Sequence, residues 1–368
     1  MYPALRKALF KLEPERAHNL TLLMLGLAGI VTPARWMLSL LNAGPSIPVT
    51  AFGLPFKNPI GLAAGYDKDA RAVPGLAALG FGHIEVGTVT PLPQSGNPKP
   101  RLFRLPEDEA VINRLGFPSK GAAHMQRRLS PRIRGNWIGE MLGIPGRTGS
   151  TPDPRSLRLT AGCVLGVNIG RNAATPNDEA VLDYLALLQN FASLSDYLTI
   201  NVSSPNTAGL RRLQEEAALE ALLTQLHAQR RIEQERIKRR LPLLVKLSPD
   251  MSEAELDAAV DVIGRTHMDG VIVTNTTLAR EGLHSAAASE AGGLSGAPLR
   301  ARSEAVLKRV VQQLGSKLAV VSAGGVMTPD DARRRLDLGA TLVQVYTGLV
   351  YRGPGLVKKT LRTLSRES

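Results

Sequence analysis

Residues 318–348 read LAVVSAGGVMTPDDARRRLDLGATLVQVYTG. A Val-rich run ends in two glycines, Thr328 with Asp331 three residues later marks a helix start, a polar helical stretch follows, and a second Val run ends in YTG. Two strands joined through a helix run parallel, and a strand covered on both faces is apolar without alternation. Working outward, the same kind of run recurs as PIGLAAG (59–65), HIEVGTVT (83–90), VLGVNIG (164–170), YLTINVSS (197–204), LLVKLSP (243–249) and GVIVTNTT (270–277). With the opening pair this makes eight, separated by helical stretches with their own start signals, such as Ser252 with Glu255 and Pro176 ahead of 178–193. Eight strands alternating with helices predict an α/β fold, a (β/α)8 TIM barrel. A doubly wound sheet is the competitor, but no GxGxxG follows the first strand.

Three segments stand outside the alternation. Residues 1–45 form a small helical extension of two predicted helices, 4–12 and 14–27, with Pro14 at a first helical position and Pro33 limiting the second. Arg6, Lys7, Lys11 and Arg16 flank a surface rich in Leu, which reads as an interfacial, membrane-associating pair or as a hairpin packed on its own domain. Residues 43–48 read as a linker, and the barrel is assigned to 46–368. The excursion 91–117 follows the second strand and is expected over the top of the barrel. The Arg-rich insertion 127–162, before the third strand, is expected at the bottom, as an oligomer contact or solvated loop.

The 368 residues carry a formal charge of +13, which raises nucleic acid, anionic membrane or an acidic small molecule as partners. Aromatic residues make up only 4%, none interleaved with a basic run, so nucleic acid is disfavoured. Five bases against two acids in residues 1–50, and seven against two in 127–158, account for much of the excess. The single cysteine, Cys163, excludes an internal disulfide and any cluster held by several thiolates of this chain. The opening lacks a signal-peptide pattern, and the apolar run 20–31 is too short to span a bilayer.

Barrel sites are built where the strands end. Lys68 follows the first strand, Thr88 ends the second, Asn168 the third, Asn201 and Ser204 the fourth, Lys246 the fifth, Thr274, Asn275 and Thr276 the sixth, and Tyr346 with Thr347 the eighth. Polar residues repeated at one end are hard to explain as packing. Gly324, Gly325, the YTG turn and GGLSG (292–296) supply bare backbone where barrels hold a phosphate. Asn113, Asn168, Asn201 and Asn275 can each donate and accept, which suits a flat heterocycle with amide edges, and Lys68 and Lys246 offer positive charge to a reduced flavin ring or a substrate carboxylate. No metal-ligand spacing is present, and His83 reads as structural.

FKNPIGLAAGYDKD (56–69), IEVGTVTPLPQSGNPKPRLFRL (84–105), INRLGF (112–117), GVNIGRN (166–172), INVSSPNTAGLR (200–211), VKLSPD (245–250), DGVIVTNTT (269–277), GGLSGAPL (292–299) and VQVYTG (343–348), in this order, resemble the class 2 dihydroorotate dehydrogenases, the membrane-associated, quinone-reducing flavoproteins of pyrimidine biosynthesis. The resemblance covers nearly the whole chain, including the N-terminal LEPERAH. It implies oxidation of (S)-dihydroorotate to orotate, one FMN per chain, a membrane quinone as oxidant, a monomer, and peripheral attachment to the cytoplasmic side of the inner membrane through anionic lipid.

Carried over by position, the resemblance implies Ser204 as the catalytic base. Lys68, Asn113, Arg114, Leu115, Gly116, Phe117, Asn201, Asn206, Asn275 and Thr276 are implied as substrate contacts. Ala64, Gly65, Tyr66, Asp67, Lys68, Thr88, Asn168, Asn201, Lys246, Thr274, Gly296, Gly325, Tyr346 and Thr347 are implied as cofactor contacts, and His18, Arg104 and Tyr346 as quinone-side residues. The chain departs from the family pattern at Tyr66, where a smaller apolar residue is usual, at Ala70 in place of glycine, and at Pro118 and Ser119 after NRLGF. A soluble relative using fumarate or NAD is the alternative, but such enzymes place a cysteine as base and Cys163 precedes a strand. A non-catalytic basic binding protein on a barrel scaffold would explain the charge but not the polar strand ends.

Overall fold

A computed structural model describes residues 2–130 and 162–366. Three helices open the chain: α1 (Tyr2–Phe10), α2 (Pro14–Ile30) and α3 (Thr32–Asn42). Pro14 occupies the first turn of α2, and the Glu13 carboxylate accepts the amides of Glu15 and Arg16, satisfying donors that a helix start leaves open. The third helix is a difference from the two expected. Pro33 does not simply close the second helix; it sits in the first turn of the next, where its missing N–H costs nothing. A short hairpin follows, β1 (Val49–Ala51) and β2 (Leu54–Phe56), also unread in the sequence.

The alternating part then runs β3 (Ile60–Leu62), α4 (Val73–Ala77), β4 (His83–Val89), the hairpin β5 (Leu102–Leu105) and β6 (Ala110–Asn113), α5 (Ala122–Leu129), β7 (Val164–Ile169), α6 (Ala180–Phe191), β8 (Tyr197–Asn201), α7 (Glu216–Ile237), β9 (Leu243–Leu247) and α8 (Glu253–Arg265). It continues with β10 (Gly270–Val273), β11 (Gly293–Gly296), α9 (Arg300–Leu314), β12 (Ala319–Ala323), α10 (Pro329–Asp337), β13 (Leu342–Val345), α11 (Thr347–Arg352) and α12 (Gly355–Leu364). Capping boxes start α8 (Ser252 with Glu255) and α10 (Thr328 with Asp331) where the sequence places them.

The eight predicted strands are β3, β4, β7, β8, β9, β10, β12 and β13, and they close in that order, every neighbour parallel, into one barrel. Continuous Val, Ile and Leu burial on both faces explains why these runs do not alternate. The N-terminal mouth is sealed by β1–β2, whose Phe52 and Phe56 pack on Tyr197, Leu244, Ile272, Val321 and Leu342. His83 lies fully buried there, edge-on to Phe56, and burial drives its pKa down to about 3, so the ring is neutral packing. One strand glycine makes room for the interior: a Cβ on Gly166 would fall 2.2 Å from the Tyr197 ring.

The excursion after β4 rises over the C-terminal mouth, where β5 and β6 join β11 in a small antiparallel sheet. The Arg-rich stretch 127–162 lies outside the described residues apart from its two ends.

Candidate active site

The barrel's C-terminal mouth opens into a cleft whose floor is made by strand ends and whose roof is made by the β5–β6 excursion. Lys68, Thr88, Asn201, Ser204, Lys246, Thr274, Asn275, Thr276 and Tyr346 line it, with Ala64 and Gly65 from the loop after β3. Inward-pointing strand residues converge at one end, so side chains remote in sequence meet. Thr88 Oγ1 donates to Asn168 Oδ1 at 2.5 Å, and Asn201 Nδ2 donates to Thr88 Oγ1 at 2.9 Å and to Asn168 Oδ1 at 3.0 Å. Asn275 Nδ2 donates to Ser203 Oγ at 3.0 Å, and Ser203 Oγ donates to Asn201 Oδ1 at 3.1 Å.

Two lysines bring charge into this polar floor. Lys68 donates to the Gly65 carbonyl at 2.5 Å, and burial lowers its pKa to about 8. Lys246 is also buried and lowered for the same reason, opposed by Glu85 beneath it. Burial disfavours the ammonium, so each site gains when an anion or a partly negative ring edge arrives.

The roof contributes Asn113, Leu115, Gly116 and Phe117. Asn206 Nδ2 donates to Asn113 Oδ1 at 3.2 Å, and Asn97 Nδ2 donates to the carbonyls of Arg114 at 2.9 Å and Asn206 at 3.3 Å, tying the loop after β8 to the hairpin. Ser204 stands on that loop, nearly buried, its Oγ accepting the Asn206 amide at 3.3 Å. A hydroxyl with an N–H aimed at its oxygen is helped to carry negative charge.

Beside the floor, Gly296, Gly324 and Gly325 bring backbone close together. Gly325 has φ +73°, and a Cβ there would lie 2.4 Å from Arg300 Cα, so only glycine fits. The buried Arg335 donates to the Gly324 carbonyl at 3.0 Å and to Ser303 Oγ at 2.8 Å, bracing this turn. A bare, braced turn after the seventh barrel strand suits a phosphate.

A second cavity of about 390 Å³ lies between the N-terminal helices and the barrel, walled mainly by apolar residues such as Leu5, Leu9, Leu25 and Leu349. His18, Arg104 and Tyr346, the three residues assigned to a second ligand, all line it. Burial holds His18 near pKa 3, so its ring is neutral. Arg104 donates to the Leu9 and Leu12 carbonyls and stacks on Phe10 at 4.7 Å, holding the end of α1 in place. Tyr346 belongs to both cavities.

Some assigned residues face elsewhere. Tyr66 lines the second cavity, edge-on to His18 at 5.0 Å and to Tyr346 at 5.5 Å. Asp67 is buried and accepts the amides of Arg71 and Ala72. Arg114 turns outward, paired with Glu290 at 2.6 Å and stacked on Phe103. Asn168, Gly296, Gly325 and Thr347 stand just behind the lining, Thr347 hydrogen-bonded to Ser295 at 2.8 Å. Sequence reasoning did not single out Ser203, Ser295, Glu85 or Arg101. An acid in the middle of an apolar strand was the available signal for Glu85. Cys163 is buried before β7, at the opposite end from the cleft, its thiol pushed up to about 12, so it is no base for this site. Among the described residues no group of three or more His, Cys, Asp and Glu could hold a metal ion.

With this geometry in hand, comparison with known proteins is specific. A family model described as dihydroorotate dehydrogenase matches residues 46–367. The chain is 46% identical over 368 residues to a dihydroorotate dehydrogenase (quinone) of Flavobacterium lutescens, covering 100% of this chain and 97% of that one. It is 44% identical to the protein of the same name from Halorhodospira halophila, covering 100% and 99%. Among solved structures, DHODH from Eimeria tenella in complex with ferulenol superposes with a TM-score of 0.81 at 37% identity, over 96% of this chain and 91% of that one.

Proposed function

The chain belongs to the dihydroorotate dehydrogenase family, and on that premise we propose how its two cavities divide the work of a quinone-dependent enzyme that oxidises dihydroorotate to orotate in pyrimidine biosynthesis. The observation that carries the reading is the pairing of a polar, amide-rich cleft with an apolar cavity across a thin partition of Tyr346, Leu102 and Val111, the residues that line both.

The residues at the cleft suit FMN. Gly325 and its neighbours would take the phosphate, Lys246, Thr88, Asn168 and Asn201 the ring edge, and Ala64, Gly65, Thr274, Gly296 and Thr347 the close backbone and hydroxyl contacts. When bound, FMN supplies a two-electron acceptor that can pass electrons on to a quinone. Lys68 attracts the substrate carboxylate, and Asn113, Asn201, Asn206 and Asn275 match the imide edge with donors and acceptors. Ser204 takes the ring proton on Oγ as its own hydroxyl proton passes on to water and a hydride leaves the neighbouring carbon, and the Asn206 main-chain amide favours the alkoxide character that Oγ needs to accept it. The roof formed by Leu115, Gly116 and Phe117 excludes water from the reacting carbons.

The quinone headgroup is assigned to the second cavity, beside neutral His18, Arg104 and Tyr346. We assign residues 1–45 as the segment through which it enters and 46–368 as the barrel. Trp36, Met37, Leu40 and Leu41 stand exposed on α3, and Leu23, Met24 and Leu27 on α2, an apolar face flanked by bases that suits peripheral attachment to anionic lipid on the cytoplasmic side of an inner membrane. Among the described residues no single helix is long and apolar enough to cross a membrane; α2 and α3 pass that test only together, bent by 108°. We assign one FMN to each chain and a monomeric protein.

The testing experiment is simple. The purified protein should be yellow, form orotate from dihydroorotate with a quinone, and lose vesicle binding and quinone reduction, but not its flavin, when residues 1–45 are removed. A colourless protein that turns over no dihydroorotate would overturn the reading.

A further inference from the structure

Glu85 is fully buried on β4 inside the barrel, one layer beneath the cleft. Its carboxylate accepts Asn168 Nδ2 at 2.8 Å, Thr199 Oγ1 at 3.0 Å, Gln344 Nε2 at 3.1 Å and the Tyr197 hydroxyl at 3.2 Å. Two other deeply buried acids serve helix starts: Asp67 caps Arg71 and Ala72, and Asp331 caps Met327 and Thr328 while pairing with Arg300 and Arg334. The hydrogen bonds to Glu85 all come from side chains of the barrel interior. Burying a carboxylate is costly, and a neutral side chain would fill the space more cheaply.

We propose that Glu85 is a positioning residue that fixes the donor and acceptor sense of the amide chain on the floor of the cleft. A carboxylate only accepts, so Asn168 must turn its NH2 down and its Oδ1 up. That oxygen receives the Thr88 hydroxyl proton and one proton of Asn201. Thr88, its own proton spent, can only accept from Asn201 in turn. Asn201 therefore keeps its Oδ1 toward Ser203 and Asn275, and Asn275 spends its Oδ1 on the Thr276 amide. Each amide alone could flip at little cost, because its two ends have nearly the same shape. Chained to a charge that cannot donate, none can. Glu85 also supplies the counter-charge that offsets the burial of Lys246.

The inference rests on reading the cleft as the dihydroorotate site, and orotate binding by the wild-type holoenzyme tests that reading separately. In Glu85→Gln, the new amide can donate upward and release the sense of the chain. The variant should keep its flavin and its melting profile, while the orotate Kd, read from the change in flavin absorbance, rises about tenfold, the worth of one charge-assisted hydrogen bond. Thr88→Val breaks the chain one link higher, and the double variant should be no worse than the weaker single one. A merely structural role would lower flavin content or melting temperature and leave the orotate Kd of the remaining holoenzyme within twofold; that result overturns the proposal. If Glu85→Gln does not fold, Thr88→Val is read on holoenzyme whose flavin content and unliganded flavin spectrum match wild type, since Thr88 also faces the ring edge; there an unchanged orotate Kd refutes the chain and a tenfold rise supports it.

Discussion

Glu15 on α2 and Arg101 just before β5 form a two-pronged ion pair, Nη2 to Oε1 at 2.8 Å and Nε to Oε2 at 3.2 Å, with both side chains largely buried. The remaining Arg101 nitrogen donates to the carbonyls of Ser95 at 2.6 Å and Asn97 at 2.9 Å. The apolar helix pair is thereby fastened to the loop that roofs the substrate cleft. Glu15→Gln should cost about 2 kcal/mol of stability, between the values for exposed and fully buried pairs, and raise the KM for dihydroorotate. Arg101 holds the Glu15 carboxyl below its ordinary value, so this stabilisation is complete above the usual carboxylate range and disappears as pH falls through the lowered value. Thermal melts of both proteins from pH 7 down to pH 3 should converge; parallel curves would refute the assignment.

On the proposed mechanism Ser204→Ala removes the proton acceptor without disturbing the amide floor. Turnover at neutral pH should drop by about 10²–10⁴-fold, while orotate titration of the flavin stays near the wild-type curve. Unchanged turnover would show that another group takes the proton.

Burial lowers the Lys68 pKa to about 8, so its ammonium is charged below that pH and neutral above. On the proposed assignment orotate, an anion, binds the charged form, and its apparent affinity should be level up to about pH 8 and decline beyond. Lys68→Met should weaken orotate by roughly tenfold at pH 7 and abolish the decline. A decline that persists in the variant would assign it to a different group.

Gly325→Ala places a Cβ 2.4 Å from Arg300 Cα in a left-handed backbone. The strain is worth roughly 1–3 kcal/mol, and the variant should purify with little flavin even where it folds. Full flavin occupancy would move the phosphate away from this turn.

Tyr66→Leu removes the edge contacts to His18 and Tyr346. Steady-state assays should show a changed quinone KM with orotate affinity intact. The opposite pattern would place Tyr66 at the wrong ligand.

The barrel was legible because its strands, buried on both faces, leave unbroken Val and Ile runs. The β5–β6 hairpin was not, since it lies among Pro98, Pro100, Arg101 and Arg104 and its outer positions are only half-buried. Strand ends revealed most of the cleft, because polar residues there have nowhere else to point. Orientation within a motif was harder to read. Asn113 ends β6 facing the cleft, so the next residue, Arg114, turns outward to Glu290, and Tyr66 belongs to the apolar cavity although its neighbours Gly65 and Lys68 do not. The all-acceptor carboxylate at Glu85 became meaningful only once folding set Asn168, Thr199 and Gln344 around it.

Tyr346, with Leu102 and Val111 beside it, forms a partition one side chain thick on which both cavities end. With substrate assigned to one cavity and quinone to the other, reductant and oxidant have separate doors and do not compete for the same volume. A molecule wedged among the N-terminal helices should leave dihydroorotate free to bind and bleach the flavin once, then halt the cycle with the enzyme trapped in its reduced form. Blockade from that side would show itself as a single unrepeated turnover that added substrate cannot relieve.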